Sequence, residues 1–118
     1  MRRGKIVNIL TSATMGKPPS NMSDYLVGKY SLLGLSNALA VELAPFGINV
    51  NCISPSLIET NLTAKIPDKL KEILKINSPM NRLAVPADIA SATLFLCSKY
   101  SDYISCENLL ITGAETFH

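Results

Sequence analysis

The chain has 118 residues, of which 47% are apolar and 17% are charged, and its formal net charge is +2 at pH 7. This length and composition fit a single domain and exclude a disordered tail, a collagen-like repeat and a low-complexity linker. Because the net charge is so small, no basic face for nucleic acid is indicated, and we expect no nucleic-acid partner.

The sequence gives no sign of a membrane span, a leader peptide or a metal site. No apolar run approaches the roughly 20 residues that a helix needs to cross a bilayer. Behind the basic N-terminus the apolar stretch is short, Ile6-Val7 followed by Asn8, so a signal peptide is not expected. Three cysteines without C-x-x-C spacing and a single histidine, His118, argue against a disulfide framework, a zinc site and histidine-based catalysis. These features predict a cytoplasmic chain.

Six elements are predicted in chain order, with strands and helices alternating. The strands are expected over residues 5–11, 48–54 and 108–112, and the helices over residues 24–44, 67–76 and 86–98. The first strand is apolar at consecutive positions, as in a parallel strand buried on both faces. Pro45 and Gly47 stop the first helix, whereas Pro86 and Asp88 suit the first turn of the last one. This order predicts an α/β layer with a parallel sheet, helices on both faces and right-handed crossovers.

The predicted helix over residues 24–44 is apolar nearly all the way round. A helix of this kind must be covered on two sides, by its own sheet and by a second surface, so we expect homo-oligomers that form through it. The first strand has no earlier strand to pair with, and an exposed apolar edge favours association. The chain is therefore expected to be incomplete. The two apolar stripes are Leu26, Tyr30 and Leu33, and Leu32, Leu35, Leu39 and Leu43.

Tyr25 and Lys29 are four residues apart on this helix, so their side chains share one face, one turn apart. A nearby ammonium favours the phenolate form of a tyrosine, which then exchanges a proton more readily with a carbonyl oxygen. Ser12 precedes Tyr25 by thirteen positions, at the end of the first strand, where its hydroxyl can hold the same oxygen. The three residues predict a proton-transfer site. A purely structural interpretation stays open, with Tyr25 in water at the helix start and Lys29 as a surface residue.

Ordered motifs along the whole chain resemble the short-chain dehydrogenase/reductase family, specifically its C-terminal half. Within this family, the sequence most resembles 3-oxoacyl-carrier-protein reductases and related sugar or alcohol dehydrogenases. The motifs are 4–9 with Ser12, 25–29, 39–44, 47–51, 53–55 with Thr60, 81–83 with Pro86 and Asp88, and 107–113.

The resemblance implies a Rossmann-type fold that exchanges a hydride between NAD or NADP and a small-molecule carbonyl or alcohol. It implies that Tyr25 donates or accepts the proton and that Ser12 orients the substrate oxygen. Lys29 would favour the Tyr25 phenolate and bind the nicotinamide ribose together with it. The remaining cofactor-binding residues that it implies are Pro55, Ile58 and Thr60.

The pattern also departs from that family. No G-x-G-x-x-G or similar glycine cluster occurs, so the expected single domain, residues 1–118, lacks the N-terminal dinucleotide-binding half and holds an incomplete cofactor site. Ser56, Cys106 and Ala114 stand where the family usually has glycine. We expect the chain to be inactive alone and to need a complementing N-terminal half. The alternatives are a non-catalytic self-association module and a degenerate remnant.

Overall fold

The computed structural model describes residues 3–61 and 63–117, so His118 lies outside the described residues. The three strands and three helices occur in the predicted order of strand, helix, strand, two helices and strand, and their ends agree with the predicted ones to within two residues. The elements are β1 (Gly4–Ile9), α1 (Ser23–Leu43), β2 (Ile48–Pro55), α2 (Asp68–Asn77), α3 (Pro86–Leu96) and β3 (Asn108–Ile111).

The three strands form one parallel sheet in the order β1-β2-β3. The central strand β2 is buried from Val50 to Pro55, and Val50 and Ile53 are 0% exposed. By contrast β1 is an edge strand in the described part of the chain, and its Ile6 and Ile9 are 37% and 42% exposed. The prediction that this strand is buried on both faces is therefore wrong for the chain by itself, because a strand needs neighbours and covering helices to be enclosed.

The helices α1 and α3 lie on opposite faces of the sheet, which confirms the predicted fold class. On one face, the Asn8 amide donates a 2.8 Å hydrogen bond to Ser36 Oγ of α1. Lys5 is three positions away on β1 and so points to the other face. There its Nζ donates to Ser101 Oγ at 3.3 Å, and Ser101 Oγ donates to the carbonyl of Leu96, the last residue of α3.

This arrangement gives the two crossovers opposite hands. Both connections advance in the same direction across the sheet, from β1 to β2 and from β2 to β3, but they pass over different faces. The prediction of right-handed crossovers is therefore wrong for one of them. The strong preference for the right hand applies to a tight strand–helix–strand unit. The second connection holds two helices and a long loop, which relaxes that constraint.

The two faces of α1 differ from the stripes predicted for it. The face toward the sheet is formed by Leu32, Ser36, Ala40 and Leu43, of which Ser36 and Ala40 are almost completely buried. Leu35 belongs to the same predicted stripe as Leu32 and Leu43, but it is 54% exposed, because it lies too far round the helix to reach the sheet. The opposite face is open and mostly apolar, and we call it the open face of α1. Its residues are Val27, Ser31, Gly34, Leu35, Ala38 and Val41.

Two of the three positions where the family usually has glycine carry left-handed backbone. Cys106 has φ 65° and Ala114 has φ 70°, a region that is costly for residues with a Cβ. The turn around Cys106 is held by buried Asn51, whose amide donates to the Ile104 carbonyl at 2.9 Å and whose Oδ1 accepts from the Glu107 amide at 3.0 Å. Ser56 is not among the residues with positive φ in the described part of the chain, so its backbone carries no left-handed strain.

The strain at Cys106 predicts that Cys106→Gly stabilises the protein. The relief of left-handed strain exceeds the entropy lost by ordering a glycine, so we expect a gain of about 0.5–1 kcal/mol in the free energy of unfolding, measured by urea denaturation. Cys97→Gly is the matched control, since Cys97 is also an exposed cysteine but has φ −87°. The control should lose stability. If Cys106→Gly lowers the free energy of unfolding as much as the control does, the assignment of strain to Cys106 is contradicted.

The start of α3 is fixed by an ion pair and a capping carboxylate. Pro86 occupies the first turn, and the Asp88 carboxylate accepts a 2.8 Å hydrogen bond from the Val85 amide. Arg82 donates to both carboxylate oxygens, at 2.8 and 3.2 Å. The hydrogen bond from Arg82, together with the one from the Val85 amide, lowers the pKa of Asp88 to about 2. The predicted role of this residue at the helix start is confirmed.

We expect Asp88→Asn to destabilise the protein at neutral pH but not in strong acid. Because the folded-state pKa is below the unfolded value, the stabilisation is present above about pH 4 and is lost as the pH falls to about 2. Urea midpoints of wild type and Asp88→Asn should therefore differ at pH 7 and converge near pH 2. Glu72→Gln, which breaks an exposed 3.7 Å pair with Lys75, is the control and should differ little at either pH. An equal Asp88→Asn difference at both pH values would contradict the assignment.

Candidate active site

The carboxyl ends of β1 and β2 meet at one edge of the sheet, and the candidate residues follow them. The Leu10 amide donates to the Ile53 carbonyl at 2.7 Å, which keeps the two strand ends level. Ser12 begins a short 3-10 turn (Ser12–Thr14) just after β1, and Pro55 is the last residue of β2. In parallel α/β sheets this carboxyl edge is where ligands bind.

Tyr25 and Lys29 lie in the first two turns of α1 and come together as predicted. The Lys29 Nζ lies 5.7 Å from the centroid of the Tyr25 ring. The same Nζ donates a 3.0 Å hydrogen bond to the carbonyl of Ile9, the last residue of β1. The ammonium is thus held between the aromatic ring and the strand end, and it brings the start of α1 to the edge that carries Ser12.

Of the two tyrosines beside Lys29, only one has a hydroxyl open to a ligand. The Tyr30 hydroxyl donates a 2.7 Å hydrogen bond to the Thr14 carbonyl. Tyr25 is 43% exposed, and its hydroxyl makes no hydrogen bond within residues 3–61 and 63–117. The proton of Tyr30 is committed to the backbone, so Tyr25 is the phenol that can exchange a proton with a bound molecule.

The turn that contains Ser12 is ordered by its neighbours. Thr11 Oγ1 accepts a 3.2 Å hydrogen bond from the Ala13 amide, and the Ser12 carbonyl accepts one from the Met15 amide at 2.9 Å. Thr14 is only 6% exposed, whereas Ser12 is half-buried. Sequence reasoning assigned Tyr30 to an apolar stripe and missed its bond to this turn. The only local signal was a second aromatic residue directly after Lys29.

The predicted cofactor segment, residues 55–60, leaves the same edge and is braced from the opposite side. Half-buried Ile58 forms a parallel bridge with Ala84, and the Glu59 amide donates to the Ala84 carbonyl at 2.7 Å. Thr60 is exposed, and its carbonyl accepts from the Ala64 amide at 2.9 Å. The segment is therefore anchored in its middle, at Ile58 and Glu59.

A cavity of about 720 Å³ lies at the opposite edge of the sheet, where the strands begin. Its walls include Arg3 and Lys5, which share the Asp102 carboxylate at 2.8 and 2.7 Å. Lys5 also donates to Asn49 Oδ1 at 2.8 Å. The hydrogen bond from Lys5 to Asp102 lowers the pKa of that carboxylate. These groups fasten β1 and β2 to the turn after α3, so the cavity is bounded by a structural network far from Tyr25.

Within residues 3–61 and 63–117, no group of three or more histidine, cysteine, aspartate or glutamate side chains is placed to hold a metal ion. None of the helices in the described ranges is both long enough and apolar enough to cross a membrane.

Comparisons with known proteins agree with this fold. Residues 1–113 match the family model described as enoyl-(acyl carrier protein) reductase. The chain is 42% identical over 114 residues to dehydrogenase/reductase SDR family member 4 of Sus scrofa, covering 95% of this chain and 41% of that protein. It is 36% identical over 112 residues to the 3-oxoacyl-[acyl-carrier-protein] reductase of Rickettsia bellii, covering 95% of this chain and 46% of the relative.

A solved structure shows the same likeness in three dimensions. The crystal structure of a 3-oxoacyl-[acyl-carrier protein] reductase from Brucella melitensis superposes with a TM-score of 0.88 at 31% identity. The match covers 95% of this chain and 42% of that structure, so the chain spans less than half the length of the relatives it matches. The family model and these relatives together show that the chain belongs to the short-chain dehydrogenase/reductase family of oxidoreductases.

Proposed function

We propose that this chain carries the proton-transfer half of an NAD(P)-dependent oxidoreductase that interconverts a small-molecule carbonyl and its alcohol. The observation that supports this most directly is the Tyr25–Lys29 pair, which α1 holds beside the end of β1. A phenol next to a fixed ammonium at the ligand-binding edge of a parallel sheet is suited to exchange a proton with a carbon–oxygen bond.

In the direction of reduction, the Tyr25 hydroxyl gives its proton to the substrate carbonyl oxygen as that oxygen gains negative charge. The Lys29 ammonium, at 5.7 Å from the ring, stabilises the phenolate that remains. The Ser12 hydroxyl donates a hydrogen bond to the same substrate oxygen and so stabilises the developing charge. In the direction of oxidation the phenolate accepts the proton from the alcohol.

The hydride requires a nicotinamide cofactor, and the chain presents residues that fit one end of it. A bound NAD or NADP would supply or accept the hydride. The exposed Tyr25 hydroxyl and the Lys29 ammonium fit the ribose hydroxyls beside the nicotinamide. Pro55, Ile58 and Thr60 fit its carboxamide, because they leave the same edge of the sheet and Ile58 is braced by Ala84.

The rest of the cofactor site would come from a complementing N-terminal half. The sequence contains no G-x-G-x-x-G loop to receive a pyrophosphate at a helix N-terminus. The outer edge of β1, where Ile6 and Ile9 are more than a third exposed, is where a preceding strand would pair. The cytoplasm is the proposed compartment, since Cys52, Cys97 and Cys106 are all free.

We further propose that the open face of α1 joins two copies of the chain. Val27 and Val41 are 66% and 71% exposed, and with Leu35 they make an apolar surface along one side of the helix. Burying such a surface in a symmetric contact removes it from water. The small residues Gly34 and Ala38 between them would let two such helices approach closely. A non-catalytic association module would use the same surface without binding a cofactor.

Tyr25→Phe tests the proton donor directly. In an active assembly of this chain with the glycine-rich half of a 3-oxoacyl reductase relative, we expect carbonyl reduction to fall by at least about 100-fold. The affinity for NADH or NADPH, measured by fluorescence titration, should fall by no more than about tenfold, the effect of one lost hydrogen bond to the ribose, because Lys29 remains. Tyr103→Phe is the control, since Tyr103 is fully exposed and far from the edge, and it should keep the wild-type rate.

Full activity of Tyr25→Phe would contradict the assignment of the proton donor. An assembly in which even wild type fails to bind NADH or NADPH would favour the association module or the degenerate remnant. The titration therefore separates the enzyme from these alternatives without needing the substrate.

Val41→Glu tests the association surface. We expect wild type to sediment as a dimer or larger species at micromolar concentration and Val41→Glu to sediment as a 12.7 kDa monomer, because a symmetric contact would bring two carboxylates together in an apolar surface. Ile76→Glu is the control, since Ile76 is 72% exposed on α2, outside this face. Wild type that remains monomeric would contradict the proposal.

A further inference from the structure

We infer that Tyr30 is a positioning residue that holds the Ser12 turn against α1, the helix that carries Tyr25. This inference rests on the proposed function for its catalytic meaning. The Tyr30 hydroxyl donates to the Thr14 carbonyl at 2.7 Å, across 16 positions of the chain, and so links α1 to the loop that follows β1. Tyr30 is not itself a catalytic residue, because its proton is committed to that carbonyl.

The Ser12 turn is held partly by its own hydrogen bonds, of which the one from the Met15 amide to the Ser12 carbonyl at 2.9 Å is the shortest, and partly from outside. It is a single 3-10 turn of three residues, and such turns have poorer hydrogen-bond geometry than an α-helix. The amide of Thr14 reaches the Thr11 carbonyl only at 3.3 Å, and the Ala13 amide reaches Thr11 Oγ1 at 3.2 Å. The next residues, 16–21, are all exposed and include Gly16 with φ 68°, so they give the turn little support from the C-terminal side.

Two consecutive residues of α1 bracket Ser12. Lys29 Nζ holds the Ile9 carbonyl at 3.0 Å, and Tyr30 holds the Thr14 carbonyl at 2.7 Å. Ser12 lies between these two fixed points. Since Tyr25 is one turn earlier on the same helix, the two bonds set the position of the Ser12 hydroxyl relative to the Tyr25 hydroxyl. Small displacements of a reacting group lower the rate strongly, so a fastening of this kind would act on catalysis through Ser12.

Removing only the Tyr30 hydroxyl tests the fastening in the 118-residue chain. Tyr30→Phe keeps the ring, and we expect the Thr14 and Met15 amides to exchange with deuterium about 5- to 10-fold faster, the effect of one lost hydrogen bond. Amides of β2 such as that of Ile53 should keep their protection. Tyr103→Phe is the matched control and should change neither set. Unchanged exchange at Thr14 and Met15, or equal acceleration throughout the sheet, would overturn the inference.

The catalytic part is tested in the assembly with the glycine-rich half. We expect Tyr30→Phe to lower kcat about tenfold or more while the KM for the nicotinamide cofactor stays at its wild-type value, because the Tyr25–Lys29 pair is intact. Wild-type kcat in Tyr30→Phe alongside an inactive Tyr25→Phe would overturn it. If wild type is inactive in every such assembly, the proposed function fails, and the exchange measurement still decides whether Tyr30 holds the turn.

Discussion

The hydrogen bond from Lys29 Nζ to the Ile9 carbonyl connects the two parts of the molecule that matter most, the end of β1 and the start of α1. A lysine ammonium keeps three donors, so this bond leaves it able to face the Tyr25 ring at 5.7 Å and a ligand as well. Because the Leu10 amide bonds to the Ile53 carbonyl, the Ile9 carbonyl before it points away from β2, and the ammonium satisfies it. One side chain thereby orients α1, places its own charge and brings Tyr25 to the sheet edge.

The supporting scaffold is small, and its rigidity is concentrated in β2. This strand has a neighbour on each side, α1 over one face and α3 over the other, which explains why Val50 and Ile53 have no exposed surface. The flanking strands have one neighbour each within the described residues. The candidate site lies where β2 and β1 end together, so its residues extend from the most buried part of the sheet. The partly exposed edge of β1 leaves apolar surface that a longer protein or a partner would cover.

Backbone strain occurs at two positions where the family usually has glycine and this chain has another residue. Cys106 and Ala114 adopt left-handed backbone that glycine adopts at little cost. The turn at Cys106 persists because Asn51, buried in β2, satisfies both the Ile104 carbonyl and the Glu107 amide. The energy of buried hydrogen bonds therefore outweighs the conformational cost of a cysteine at that position. At Ser56 the backbone stays outside the left-handed region, so that change from glycine carries no such cost.

The sequence alone determined the features that depend on near neighbours in the chain. Apolar spacing identified all six elements, and a separation of four residues on one helix was enough to place Tyr25 beside Lys29. The end of α1 and the start of α3 could also be predicted from local sequence, because Gly47, Pro86 and Asp88 act within one turn of these helix ends. Ser12 was predicted at the end of the first strand, and it begins the turn just after β1.

Only the tertiary structure decided the features that depend on residues distant in the chain. The hand of the second crossover, the exposure of Leu35 and the weak burial of β1 all follow from which elements cover which face. The bond from Tyr30 to Thr14 spans a loop whose path no local pattern specifies. Periodicity fixes the direction of a side chain relative to its own helix, whereas its partner is fixed by how the elements pack, and that packing is a property of the whole chain.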